Sequence, residues 1–219
     1  MSTSPPTTTP VAAKSTAPAT AGQDASGTER VSSTTAASAS QLASEQKVLK
    51  ASLRHFPDFP LKGILFVDIL PLFADHTLHK TLINALKLQV LTACNGVKPD
   101  VIVGLDARGF LFGPSLALAL GAGFAPVRKQ GKLPGDLSKA SFKKEYGEDV
   151  FEIQNDAIKA GSKVLIVDDI IATGGTAACA GQLVKDLGGE IMGYLFILEI
   201  DFLKGRDKLD APVIILLRD

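Results

Sequence analysis

The chain has 219 residues, and its 23 Lys and Arg balance 23 Asp and Glu to a formal net charge of zero. That balance argues against a general nucleic-acid or anionic-membrane binder, and the apolar runs have the length of strands, too short to span a membrane. Cys94 and Cys179 lie far apart without a paired spacing, so they read as core thiols of a reduced, intracellular protein rather than as a disulfide or a zinc site.

Thirty of residues 1–40 are Ser, Thr, Ala or Pro, and the first aromatic is Phe56. Such a segment cannot bury enough apolar area to offset its ordering entropy. Residues 1–44 are therefore expected to be a disordered tail and residues 45–219 a single folded domain. An organellar transit peptide is the alternative for the tail, but Asp24 and Glu29 cancel its only basic residues, Lys14 and Arg30.

Along the domain, Leu42, Leu49 and Leu53 share one face of a helix over 42–54, and Leu78, Leu82, Leu86 and Val90 mark a longer one. Short β-branched runs follow at 101–103, 163–167, 195–198 and 213–217, with helix-like stretches at 109–120 and 176–187 between them. Strands separated by helices of ten or more residues pair in parallel through crossovers, which predicts an α/β fold with a doubly wound, mostly parallel sheet. Open sheets of this kind bind ligands at the carboxyl ends of their strands. Chemistry is thus expected just after Leu105 and Val167.

After Val167 stand two adjacent carboxylates, Asp168 and Asp169, then Ile170 and Ile171, then the small loop Ala172, Thr173, Gly174, Gly175 and Thr176. The glycines permit positive φ and close backbone approach, so successive N–H groups can converge on one phosphate. The start of a helix adds its positive dipole end, and the two threonines add hydroxyl donors. Two carboxylates repel a polyphosphate but suit vicinal ribose hydroxyls, so the predicted ligand is a ribose 5-phosphate. No Walker A or G-x-G-x-x-G pattern is present. The competing reading, a strand end with an ordinary turn, fits a bare D-D or G-G better than this thirteen-residue context. The whole run resembles the signature with which type I phosphoribosyltransferases bind 5-phosphoribosyl 1-pyrophosphate (PRPP).

Three more segments narrow the resemblance: the FPDFP run at 56–60 with Phe66 to Ile69 behind it, the stretch 104–113 around Arg108, and 128–135. Arg108 sits at a strand-to-helix turn, where a guanidinium fork and helix N–H groups can hold a pyrophosphate. Arg128, Lys129 and Lys132 cluster in a Gly/Pro loop; such a cluster is either a solvated face or, as favoured here, a cradle for the leaving pyrophosphate. Together with Glu145, Tyr146 and Gly147, these segments resemble the adenine phosphoribosyltransferases from about residue 50 onward. The resemblance implies a type I phosphoribosyltransferase fold with a small hood and a flexible lid loop. It further implies that Glu145 meets the purine near N7 as the catalytic base, that Tyr146 lies beside the pyrophosphate, and that Phe66 and Ile170 sandwich the adenine. The family usually reads F-R-D where this chain has Phe66-Val67-Asp68, so base recognition is expected through main-chain groups of Leu65 and Val67.

The reaction so implied joins adenine to PRPP and yields AMP and pyrophosphate, with Mg²⁺ arriving on PRPP rather than in a protein metal site. A homodimer in the cytoplasm is the expected setting, with an organelle as the alternative if the tail is a transit peptide. Competing readings are a transferase for another purine, such as xanthine or guanine, and a PRPP-sensing regulator without catalysis. The FPDFP segment and Glu145 argue against both.

Overall fold

A computed structural model of the chain describes residues 26–143 and 148–218. Its first element, α1 (Ser26–Ala51), starts inside the segment expected to lack structure. Its apolar anchors are downstream: Leu42 and Leu49 are buried, as is Leu53 just past its end. Upstream of Leu42 the sequence is mostly Ala, Ser and Thr. Elongating a helix already anchored at one end avoids the costly nucleation step, so a stretch of this composition still continues it.

Strands β1 (Arg54–Pro57) and β2 (Leu65–Asp68) form a separate antiparallel ribbon, the small hood. Two strands alone are marginal in water. Here Arg54 and Asp68 face each other in register, and Nε and Nη2 of Arg54 donate to Asp68 Oδ2 at 3.0 and 2.6 Å. A short helix α2 (Pro71–Ala74) leads to α3 (His76–Ala93), whose first turn is capped by Asp75 accepting from the Leu78 N–H.

The main body runs β3 (Val101–Leu105), α4 (Gly113–Leu120), β4 (Gly123–Lys129), β5 (Leu137–Lys143), β6 (Glu148–Gln154), β7 (Lys163–Ile171), α5 (Gly175–Asp186), β8 (Glu190–Glu199) and β9 (Val213–Ile215), so the expected alternation is interrupted by the consecutive strands β4 to β7. Seven strands form one sheet in the order β5-β6-β4-β3-β7-β8-β9. Neighbours from β4 to β9 are parallel, whereas β6 runs antiparallel to both β4 and β5. Side-chain alternation sorts each strand between two cores. Leu165 and Val167 of β7 pack with the face that carries α1, α3 and α4. Val164 and Ile166 pack with the face that carries α5. Cys94 and Cys179 are both free thiols, the second buried. Among the described residues, no helix is long and apolar enough to cross a membrane.

Candidate active site

The carboxyl ends of β3, β4 and β7 supply the site. In β7 the buried run ends on Asp168 and Asp169, the second almost fully buried. The Asp169 N–H donates to Asp168 Oδ1 at 2.9 Å, which fixes the Asp168 carboxyl against the following peptide. Burial pushes Asp168 up to about 8, and the neighbouring Asp169 charge adds to the rise. Asp169 is also raised by burial, against the pull of Arg108. Two carboxyls this close and this buried do not both ionise easily, which is why both are raised.

Arg108 opens the 3-10 turn after β3, next to the cis peptide between Asp106 and Ala107. Its Nε lies 2.8 Å from Asp169 Oδ2, yet that oxygen has no hydrogen-bond partner among the described residues, so the contact is an ion pair off the donor axis. The turn approaches β7 closely: a Cβ on Gly109 would meet the Val167 carbonyl oxygen at 2.7 Å. Glycine is what brings Arg108 within reach of the carboxyl pair.

Beyond Asp169 the chain passes Ala172 and the exposed Thr173 to Gly174, at φ 75, and enters α5 at Gly175. No side chain caps α5, in contrast to the Asp75 cap on α3. The N–H groups at such a helix start point outward without intrahelical partners, beside the positive dipole end. Gly174 is needed for a second reason: a Cβ there would overlap the carbonyl oxygen of Gly205. The close approach read from sequence as room for a ligand is thus also room for the chain's own backbone.

The basic cluster is organised by a residue that sequence reading missed. Glu152 of β6 is fully buried, and its Oε1 accepts from the N–H groups of Gly131, Lys132 and Leu133 at 2.8, 3.0 and 3.2 Å. Arg128 is held as well, with Nε donating to Asp106 Oδ2 at 3.0 Å and its guanidinium over the Phe110 ring. Lys129 and Lys132 are exposed. No local pattern marks Glu152, because its three donors lie about twenty residues upstream in another element.

Between hood and sheet lies a cavity of about 340 Å³, lined by Phe56, Phe59, Phe66, Val67, Asp68 and Arg108 among others. Phe59 and Phe66 meet edge to face at 5.1 Å. The structure therefore joins Phe66 and Val67 to Arg108, and Arg108 to the carboxyl pair. Leu65 and Ile170 do not line the cavity; the Leu65 side chain is more than half exposed, and Ile170 packs against the core beside α3. Glu145 and Tyr146 lie outside the described residues. The strand that leads to them is placed at the site, because a Cβ on Gly175 would touch the Phe142 ring at 3.0 Å.

Residues 74–216 match the phosphoribosyl transferase domain. The adenine phosphoribosyltransferase of Yarrowia lipolytica is 64% identical over 172 residues, covering 78% of this chain and 94% of that protein. Adenine phosphoribosyltransferase 1 of Saccharomyces cerevisiae is 59% identical over 176 residues, covering 80% and 94%. A crystal structure of adenine phosphoribosyltransferase from S. cerevisiae, complexed with an imino-altritol bisphosphate and adenine, superposes with a TM-score of 0.77 at 59% identity, covering 80% of this chain and 99% of that one. With the matched domain spanning most of the sheet and identity this high over nearly whole relatives, the chain belongs to the phosphoribosyltransferase family, among the adenine phosphoribosyltransferases.

Proposed function

We propose that the chain transfers the phosphoribosyl group of PRPP to adenine, forming AMP and releasing pyrophosphate. The observation that carries this reading is the double placement of Arg108, which lines an aromatic cavity and pairs with Asp169 beside the phosphate loop. A slot for a flat base, a guanidinium and a carboxyl pair thus meet at one side chain.

In this reading the 172–176 loop and the open start of α5 anchor the 5-phosphate. Asp168 and Asp169 accept from the ribose hydroxyls, and the base lies among Phe56, Phe59 and Phe66. Recognition of its edge falls to main-chain groups of Leu65 and Val67, and Phe59 and Phe66 wall the base, since the Ile170 side chain stands outside the cavity. Arg108, Arg128, Lys129, Lys132 and Tyr146 receive the pyrophosphate. The C1–oxygen bond breaks with its electron pair leaving on pyrophosphate, and the sugar passes through an oxocarbenium-like state. The N9 lone pair of adenine closes the new bond, and the N7 proton passes to Glu145. The carboxyl pair adds negative potential beside the developing cation.

Mg²⁺ is proposed to enter as part of the substrate complex with PRPP, where it screens the pyrophosphate charge. Asp169 Oδ2, which has an ion pair with Arg108 but no hydrogen bond among the described residues, and the raised Asp168 fit such an arrival, since both gain from a cation nearby. Two free thiols suit a reducing compartment, on which a cytoplasmic setting is proposed, and a homodimer is proposed on the family resemblance alone. The test is AMP, IMP and GMP formation from PRPP with adenine, hypoxanthine and guanine offered separately. Adenine alone should be consumed. Preference for another base would reassign the substrate, and PRPP binding without turnover on any base would leave a sensor.

A further inference from the structure

We propose that Gly205, fixed by the Glu199–Arg206 pair, positions the 5-phosphate loop by acting through Gly174. The inference rests on the reading of residues 172–176 as that loop.

β8 ends at Glu199, and the chain then turns through two 3-10 turns, Asp201–Leu203 and Gly205–Lys208. This stretch adds little to the core: residues 201–204 are exposed, and Phe202 is 82% exposed. Its buried residue is Gly205, which has no side chain to pack. What Gly205 meets is mainly backbone, with the Ile171 Cγ1 atom 2.9 Å from where a Cβ would stand. A Cβ there would overlap the Ala172 carbonyl oxygen and lie 2.9 Å from the Gly174 nitrogen, while a Cβ on Gly174 would overlap the Gly205 carbonyl oxygen. The two chains therefore approach as backbone against backbone, and glycine is required on both sides. Apolar packing here is limited to the Ile171 side chain, and the closest approaches are between main-chain atoms.

Something else must hold the segment in place. Arg206 Nε donates to Glu199 Oε1 at 2.7 Å, and Arg206 Nη2 pairs with Glu199 Oε2, a fork on a carboxylate whose side chain is only 5% exposed. A bidentate pair fixes direction as well as distance. The Arg206 guanidinium also holds the Glu199 carboxyl below the usual carboxylate range. The Ile200 N–H donates to the Ile171 oxygen at 2.9 Å, tying this segment to the strand end that launches the loop. Lys204, at φ 51, delivers the chain to Gly205 in the left-handed region. The clamp thus sets Gly205, Gly205 sets Gly174, and Gly174 sets the first amide donors of α5.

The test measures binding of ribose 5-phosphate, which carries the 5-phosphate without base or pyrophosphate, and of pyrophosphate alone, alongside thermal melts. Gly205→Ala and Arg206→Ala should each weaken ribose 5-phosphate by about tenfold or more, while pyrophosphate affinity stays within about twofold. In turnover the same loss should appear as a raised KM for PRPP with the KM for adenine unchanged. Arg206→Lys keeps the charge but not the fork and should recover part of the loss. If Gly205→Ala fails to fold, the two Arg206 variants decide. Unchanged ribose 5-phosphate affinity in Arg206→Ala, or equal losses for both ligands in step with the melting temperature, overturns the inference. A wild-type protein that does not bind ribose 5-phosphate overturns the phosphate-loop reading itself, and this inference with it.

Discussion

The loops 172–176 and 130–133 are both glycine-containing turns proposed to meet anions, yet they spend their backbone donors differently. In the second, three consecutive N–H groups are consumed by the buried Glu152 carboxylate. Its anion-binding capacity lies in the side chains it displays, Lys129, Lys132 and the tethered Arg128. In the first, no capping side chain takes up the start of α5, and the donors stay open. One loop is fixed by an internal anion and offers charge; the other is fixed by neighbouring backbone and offers amides. Charge on flexible stems suits a departing group, and rigid amides suit a group held throughout the reaction.

Changes aimed at each side should separate these roles, and a change in neither loop provides the control. Glu145→Leu should lower single-turnover AMP formation by about 10²–10⁴-fold, the usual contribution of a positioned proton acceptor, with PRPP and pyrophosphate binding intact. Wild-type turnover would return Glu145 to a surface residue. Gly174→Val should cost PRPP affinity by about 10²-fold or more, as several phosphate hydrogen bonds are lost together. Because a Cβ at Gly174 meets Gly205, it should also lower the melting temperature, a cost that the sequence alone hid. Affinity that survives in a folded variant would show that the loop does not hold the phosphate.

On the other loop, Glu152→Gln should keep one acceptor for the three amides but lose its charge, weakening pyrophosphate by about tenfold and sparing ribose 5-phosphate. A reversed pattern would invert the comparison. The smallest effect concerns pH. Asp168 sits near 8 when folded, above its ordinary range, so the folded state retains a proton that the unfolded chain releases. Stability from this group is therefore full at acid pH, below the unfolded value, and is lost as pH rises towards 8. The melting temperature of the ligand-free protein should fall over that window, and Asp168→Asn should flatten the slope. An identical slope in the variant would assign the effect elsewhere.

What was legible in the sequence was what a strand and its following turn carry locally. The β-branched runs, the Asp168–Asp169 pair and the 172–176 loop are contiguous, and the sheet delivers them where open parallel sheets place ligands. The antiparallel additions were less legible. β5 and β6 mix polar residues without a clean period, because the partner strand rather than side-chain alternation specifies them. Glu152 and Gly205 escaped notice for a related reason: each acts on a loop twenty or more residues away, and neither residue type is unusual where it stands. The start of α1 falls within the expected tail, because composition measures what a segment can bury, not whether it can extend a helix anchored further along.

The uncapped start of α5 has a thermodynamic consequence. A helix whose first turn is completed by an external anion has part of its hydrogen-bond complement in solution. By mass action, a ligand present at a hundred times its dissociation constant adds about 2.7 kcal/mol to the resistance of the folded state. On the proposed reading of the phosphate loop, heat tolerance is not a fixed attribute of the polypeptide. With the 5-phosphate held as proposed, the melting temperature should rise with the concentration of free phosphorylated sugar, and a melt recorded without that ligand should measure only the protein's own share.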